Sequence, residues 1–406
     1  NPELVKRNTE STRKNMRAAG ATFALSPMLD LSRTAHWNRH QESYGEDAYL
    51  ASRLGVAFVN GFQGDNFKTG VAATVKHFAG YGQVLGGSNF AAIEISPRTL
   101  IDEIYPPFEA AVVEARSLGI MASHGDLNGI ASHGNPELLT GVLRNQWNFE
   151  GYVVSDANDI GRLHYFMKVA ETPEDAARIA LEAGVDIDLY AEDAYSYLPE
   201  MVKENPELET YIDRSVRRVL RTKFILGLFD NPYIDISEAE KGVRSQSSLE
   251  LAKESDLESI ILLKNEENTL PLNKNKSIKI ALLGPLVKKH TKAMFESVVG
   301  DNIKFVAEKG FDLTNGDSGI PELLEKDPKS IAKLVNIAKN ADVNILFLGG
   351  DRYTSKEAYF DGTLGDRTTI EPLGPQDELI EKVKALGKPV IVVLQHRRTL
   401  AINTIA

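Results

Sequence analysis

A chain of 406 residues, 42% hydrophobic and 25% charged, exceeds one ordinary hydrophobic core and predicts two soluble globular domains. Its net charge of −11, with Lys and Arg interspersed among Asp and Glu, excludes the basic stripe that nucleic-acid binding needs. With no cysteine, disulfides, thiolate zinc sites and thiol nucleophiles are excluded too, and no apolar run approaches the ~18 residues a membrane span requires. Zero cysteine fits a periplasmic or secreted protein as well as many cytoplasmic ones. The chain opens on Asn1 without an initiator Met or a signal-like segment, which points to a processed or truncated N-terminus.

Along the chain, apolar strands alternate with helices. Ala21–Leu25 reads as a strand running into Ser26-Pro27-Met28-Leu29-Asp30, and a polar loop carrying Trp37, Arg39, Glu42 and Glu46 follows. Asp47 caps a helix whose apolar positions run to Gly61. Val71–Phe78 is a strand with Lys76 and His77 at its end, Thr99–Arg116 an amphipathic helix, and Gly119–His124 another strand. After a helix over Asn135–Gln146 comes Tyr152-Val153-Val154-Ser155-Asp156, a short apolar run bounded by turn formers and thus a buried parallel strand. Thr172 caps a helix over Pro173–Glu182, Val185–Leu189 is a further strand, and Thr210–Phe229 a long amphipathic helix. Residues 233–250 read as a linker between a domain over 1–232 and a second over 251–406. In the second, helices over Leu249–Asn265, Lys329–Asn340 and Pro375–Leu386 alternate with strands over Ile278–Pro285, Val343–Gly349 and Pro389–Gln395. Asn344 interrupts an otherwise apolar strand, and a long polar loop lies between Gly350 and Gly374.

Strands that each end in polar residues, with helices between them, predict an α/β fold with its site along one rim of a parallel sheet. The natural reading is a (β/α) barrel lacking its first unit, with an open doubly wound sheet as the alternative. No Gly-x-Gly-x-x-Gly opens a helix, so a dinucleotide site has no support, and no cofactor is expected. Asp30, Lys76-His77, Ser123-His124, Asp156 and Asp186–Asp188 line the expected rim, and together they offer donors and acceptors suited to a hydroxyl-rich ligand. Each alone is as readily a helix cap or local partner. His36 and His40 are four apart but lack a helical pattern and an H-E-x-x-H, so no metal is expected. A Schiff-base lyase using Lys76 is chemically open but leaves the second domain without a role. One carboxylate at a barrel rim plus a long acidic loop on an appended domain suggests two-carboxylate glycoside hydrolysis.

Several ordered stretches resemble glycoside hydrolase family 3, of the β-glucosidase type. They are Ser26–Leu31, Trp37-Asn-Arg39 with Glu42–Asp47, Lys76–Gly82, Asn128-Gly129, Leu143-Arg144 with Trp147–Gly151, Val154-Ser-Asp156, Ala183–Asp186, Leu262–Asn265 with Leu270–Leu272, and Gly365-Asp-Arg367 with Gln376. The resemblance covers nearly the whole chain and implies a TIM-like barrel followed by an α/β sandwich, hydrolysing β-linked sugars with retention. It implies Asp156 as the nucleophile, and Arg39, Lys76 and His77 as residues holding the sugar hydroxyls. The acid/base would be a Glu on the second domain's loop, with Glu357 the best-placed candidate and Glu371 a poorer one. Departures from the family pattern are Ala157 for an aromatic residue, His124 for Tyr, Asn38 for Gly and Asp351 for Glu. His124 would then face the sugar in place of the Tyr. These departures leave the sugar's identity open. The competing expectation is a non-catalytic carbohydrate-binding or scaffold protein that keeps the fold. Expected partners are a β-glycoside or oligosaccharide substrate, with neither nucleic acid nor membrane.

Overall fold

The computed structural model describes residues 1–190, 194–266, 268–314, 328–351, 354, 366 and 368–405. Contacts divide the chain into two units: residues 1–34, 42–85 and 90–260 in the first, and 35–41, 86–89 and 261–406 in the second.

The first unit opens with a helix that periodicity alone does not show, α1 (Pro2–Ala18), capped by Asn1, whose side chain accepts from Leu4 N–H. Leu4, Val5 and Met16 are too few to mark an apolar stripe. What holds α1 is close packing on α2 (Ala48–Gln63): a Cβ at Gly61 would lie 1.9 Å from Thr9 Oγ1, so the helices touch where no side chain fits. Asp47 caps α2 as expected, accepting from Leu50 N–H at 2.6 Å.

Strands β1 (Phe23–Ala24), β2 (Ala72–Phe78), β3 (Gly119–Ala122) and β4 (Tyr152–Val154) form a parallel sheet in chain order. A parallel bridge from Val154 to Ile187 continues the series, although the expected strand over 185–189 is no longer than that bridge. Strictly sequential neighbours are the order of a (β/α) barrel, whereas a doubly wound sheet reverses direction at a switch point. The expected helix over Thr99–Arg116 is broken. A π-helical turn occupies Leu100–Ile104, and Pro106, which has no N–H to give, starts α3 (Pro106–Val113). Helices α4 (Asp159–Tyr165), α5 (Pro173–Ala183) and α6 (Leu208–Ile225) follow, and Thr172 caps α5 as expected.

The stretch expected as a linker contains α7 (Ile236–Gly242), capped by Asp235, and the start of α8 (Gln246–Glu258). Both pack on α1, and α8 is tied to it by the Arg7–Glu254 ion pair and by Asn8–Ser255 and Ser11–Ser248 hydrogen bonds. The boundary between units therefore falls after Ile260. Helix α8 also stops short of the expected Asn265, leaving Ile260, Ile261, Leu262 and Leu263 exposed.

In the second unit, β5 (Ile278–Leu283), β6 (Ile303–Glu308), β7 (Val343–Gly349) and β8 (Val390–Gln395) form a parallel sheet in the order β8-β7-β5-β6. Alternate side chains feed two covered faces. Ala281, Leu283, Leu346 and Leu348 pack with α10 (Pro328–Lys339) and α11 (Gln376–Lys384), while Ile280, Leu282, Ile345 and Phe347 share the opposite face with Phe295 of α9 (Thr291–Val298). Burial on both sides explains why these strands read as continuous apolar runs. The exception is Asn344, fully buried in the middle of the sheet, whose two amide atoms meet no hydrogen-bond partner among the described residues. The segments 35–41 and 86–89 join this unit through polar bonds. Asn38 donates to Asp366 at 3.1 Å and accepts from Arg398 at 2.9 Å, and Asp366 accepts from Asn89 N–H at 2.6 Å.

Candidate active site

Four of the five expected rim positions reach the carboxyl ends of β1 to β4, and three of those gather around one carboxylate. Asp156 follows β4 by two residues, and its side chain is 14% exposed, enough to be reached and little enough to be shaped by its neighbours. His124, from the end of β3, places Nε2 2.9 Å from Asp156 Oδ2. His77, the penultimate residue of β2, places Nε2 3.4 Å from the same oxygen. The other carboxylate oxygen, Oδ1, accepts from Ala157 N–H at 2.7 Å. Buried Asp30 holds His77 from behind, accepting from its backbone N–H at 2.9 Å and lying 2.8 Å from Nδ1. The β2–β3 register shifts between Val75 and Phe78, and such an irregularity re-aims side chains at a sheet rim. The adjacent Lys76 and His77 both sit within that shift.

The electrostatics follow from this packing. Burial opposes ionisation of Asp156, but the His124 charge and hydrogen bond, the nearby His77 and the Ala157 N–H outweigh it, and the carboxyl titrates well below its usual range. For His124, burial opposes the charged ring. The carboxylates of Asp159 and Asp156 overcome that and raise its pKa to about 10. The site thus rests as a carboxylate against an imidazolium.

Two residues of this cluster carry no strand-end signal. Asp159, the first residue of α4 and 2% exposed, lies 2.7 Å from His124 Nδ1 through Oδ2 and takes the Arg162 guanidinium on Oδ1. His133, in the turn before the Glu137–Gln146 helix, accepts the Asp156 backbone N–H at 3.1 Å and is pushed toward its neutral form by burial. Neither is marked by a pattern in the sequence, since an acid at a helix start reads as a cap and a turn histidine as surface. Ala157 leaves no aromatic side chain at its position. An aromatic ring nevertheless reaches the cluster: Phe90 packs edge-on to His124 at 4.8 Å and under the Arg162 guanidinium at 4.2 Å.

Of the other expected positions, two serve the first unit's own framework. Asp186 is a structural anchor: its buried carboxylate is taken by Arg144 at 2.9 Å, Arg218 at 2.8 Å and the Val153 N–H at 2.8 Å. Asp188 accepts from the N–H groups of Ala194 and Tyr195, both at 3.1 Å. Arg39 is buried and belongs to the 35–41 segment of the second unit. Glu357 lies outside the described residues, and Glu371 accompanies the second unit. Among the described residues no group of His, Asp and Glu is arranged to hold a metal ion, and no helix is long and apolar enough to cross a membrane.

Comparison with known proteins places both parts of the chain in one family. The model described as the glycosyl hydrolase family 3 N terminal domain matches residues 1–222, and that of the family's C-terminal domain matches 260–406. A putative β-xylosidase of Formosa agariphila is 70% identical over 410 residues, covering 100% of this chain and 54% of that protein. The periplasmic β-glucosidase of Salmonella typhimurium is 34% identical over 419 residues, covering 94% of this chain and 53% of its own length. Among solved structures, a β-glucosidase from Erythrobacter marinus superposes with a TM-score of 0.92 at 37% identity, over 98% of this chain and 57% of that one. The chain spans about half the length of the curated relatives it matches. With both halves matched in order, and a strand-end carboxylate gripped by histidines in the first, the chain belongs to glycosyl hydrolase family 3.

Proposed function

We propose that this chain is part of a retaining, exo-acting β-glycosidase that removes terminal non-reducing β-linked sugars through a covalent glycosyl-enzyme. The observation that carries the reading is Asp156, an ionised and partly accessible carboxylate at the carboxyl end of a parallel strand, with both oxygens fixed by neighbours. In this reading one Asp156 oxygen attacks the anomeric carbon as the glycosidic bond breaks. The leaving oxygen takes a proton from the acid/base, and a water then hydrolyses the glycosyl ester with the same residue as base. We assign the acid/base to Glu357 and the sugar-hydroxyl contacts to Arg39, Lys76 and His77; His124, expected to face the sugar, instead has both ring nitrogens taken, by Asp159 and by Asp156. Retention requires the two carboxyl groups about 5–5.5 Å apart. The first unit then acts as the catalytic barrel, and the second, an α/β sandwich, as the donor of the acid.

The relatives named as β-xylosidases and β-glucosidases support a xyloside or glucoside as substrate, with the 70% identical relative favouring the xyloside. The periplasmic β-glucosidase among the relatives supports a periplasmic or secreted location. The test is a panel of nitrophenyl β-glycosides together with a 2-fluoro-glycoside trap on the full-length protein. Peptide mapping is expected to find the label on Asp156 and to lose it in Asp156→Ala; a label elsewhere, or none, rejects the assignment. Glu357→Ala is expected to slow substrates with poor leaving groups by about 10²–10⁴-fold. Azide is expected to restore it with a β-glycosyl azide product, and failure of that rescue moves the role to another loop acid.

A further inference from the structure

Each ring nitrogen of His124 faces a carboxylate oxygen: Nδ1 lies 2.7 Å from Asp159 Oδ2 and Nε2 2.9 Å from Asp156 Oδ2. An ionised carboxylate only accepts hydrogen bonds, so both bonds form together only when both ring nitrogens carry protons. His133 shows the opposite arrangement beside the same Asp159. Its Nε2 accepts the Asp156 backbone N–H, which leaves a proton on Nδ1, 3.7 Å from Asp159 Oδ2, and a neutral ring. Asp159 thus meets two histidines in different charge states. The fully charged one is in line with the Asp156 side chain.

We propose that Asp159 is a positioning residue for the hydrolytic reaction, locking His124 as a permanent cation that aims Asp156 and keeps it ionised. The proposal rests on the reading of Asp156 as the nucleophile. The arrangement suits both halves of a double displacement. Before attack, the cation offsets the burial that disfavours a bare carboxylate. Once Asp156 becomes a neutral ester, the imidazolium still has Asp159 for a partner, so no unpaired charge is left buried in the intermediate. A neutral donor in place of His124 would supply the hydrogen bond without the charge.

The groups facing this chain of contacts come from several elements. His77, with Asp30 behind it, comes from β2, where Lys76 is its neighbour. Tyr81 packs its ring at 5.2 Å and Phe90 at 4.8 Å from that of His124. From α4, Arg162 binds Asp159 Oδ1 and lies 3.2 Å from His124 Nδ1. A second cation so close makes the imidazolium depend on Asp159 all the more.

The test uses Asp159→Asn, His124→Gln and the double variant of the full-length protein, with kcat/KM measured against pH on a nitrophenyl glycoside. Asp159→Asn is expected to move the acid limb upward by about one unit or more, a tenfold change at a fixed pH on that limb. His124→Gln is expected to move it in the same direction, and the double variant no further than the single ones. An unshifted limb with activity lowered uniformly, or an Asp159→Asn effect that persists in the His124→Gln background, overturns the proposal. Should Asp159→Asn fail to fold, an unshifted limb in His124→Gln overturns it equally. Nitrogen-15 NMR of the wild-type histidine rings gives a readout independent of turnover. His124 is expected to carry two protons at about pH 8, where a free histidine carries one, and a neutral His124 ring rejects the proposal. If the wild-type protein is not labelled at Asp156 by the fluoro-glycoside, the proposed function fails first. If it is labelled and the limb does not move, only the role of Asp159 fails.

Discussion

A carboxylate held between two imidazoles titrates with an unusual partner, and the sign of each shift sets its pH behaviour. Asp156 is depressed in the folded chain, so its contribution to stability is present above the ordinary carboxylate pKa and lost as pH falls through the folded value. His124 is raised from 6.5 to about 10, so its contribution is complete below 6.5 and lost as pH rises through about 10. Trapping by a fluoro-glycoside with a good leaving group needs the ionised nucleophile and little help from an acid. Its rate is therefore expected to stay flat from about pH 7 down to about pH 4, near the unperturbed carboxyl. A fall centred well above that range is the contrary result. Asn344 permits a second test at this scale. Its amide sits fully buried without a partner among the described residues, and such a group costs about 1–3 kcal/mol. Asn344→Leu, nearly the same size, is expected to raise the unfolding midpoint of the second unit in a thermal or denaturant scan. A lower midpoint would mean that the amide is satisfied after all.

Between residues and molecule stand the elements, and there the sequence was legible in proportion to how much each strand buries. Strands covered on both faces, such as Ile278–Leu283 and Val343–Gly349, announce themselves as apolar runs. Helices capped by Asp47 and Thr172 could be placed to within a residue at their starts. Helices α1 and α7 could not, because their stability comes from packing on other helices rather than from a stripe of their own, and the break at Pro106 was overridden by an amphipathic pattern. Asp156, His77 and His124 could be placed at strand ends because the apolar runs before them stop there. Asp159 and His133 were missed because their partners are tertiary. The same limit misplaced Asp186, which looks like a rim acid but anchors the start of β4. Arg144 spans this anchor: it binds Asp186 and also donates to the carbonyls of Phe149 at 2.8 Å and Gly151 at 2.6 Å. Burial lowers the Arg144 pKa to about 10 against the pull of Asp186, so the guanidinium depends on that carboxylate. Asp186→Asn is expected to destabilise the first unit by about 3–5 kcal/mol, the cost of leaving a buried charge without its counter-ion. A loss under 1 kcal/mol in chemical denaturation would show that Arg218 and solvent compensate.

Across the whole molecule, the two compact units do not correspond to two halves of the sequence. Seven-residue and four-residue segments from early in the chain, 35–41 and 86–89, belong with residues beyond 261. One of them carries Trp37, 1% exposed, while Trp147 lies in the first unit against Phe78 and Tyr105. These are the protein's two tryptophans. Each unit therefore carries its own built-in optical reporter. In a Trp147→Phe variant the remaining emission is expected to follow unfolding of the second unit, and in Trp37→Phe that of the first. Two distinct midpoints in urea would show that the units melt separately, whereas coincident curves would show that an indole near the start of the chain and one in the barrel report a single cooperative event.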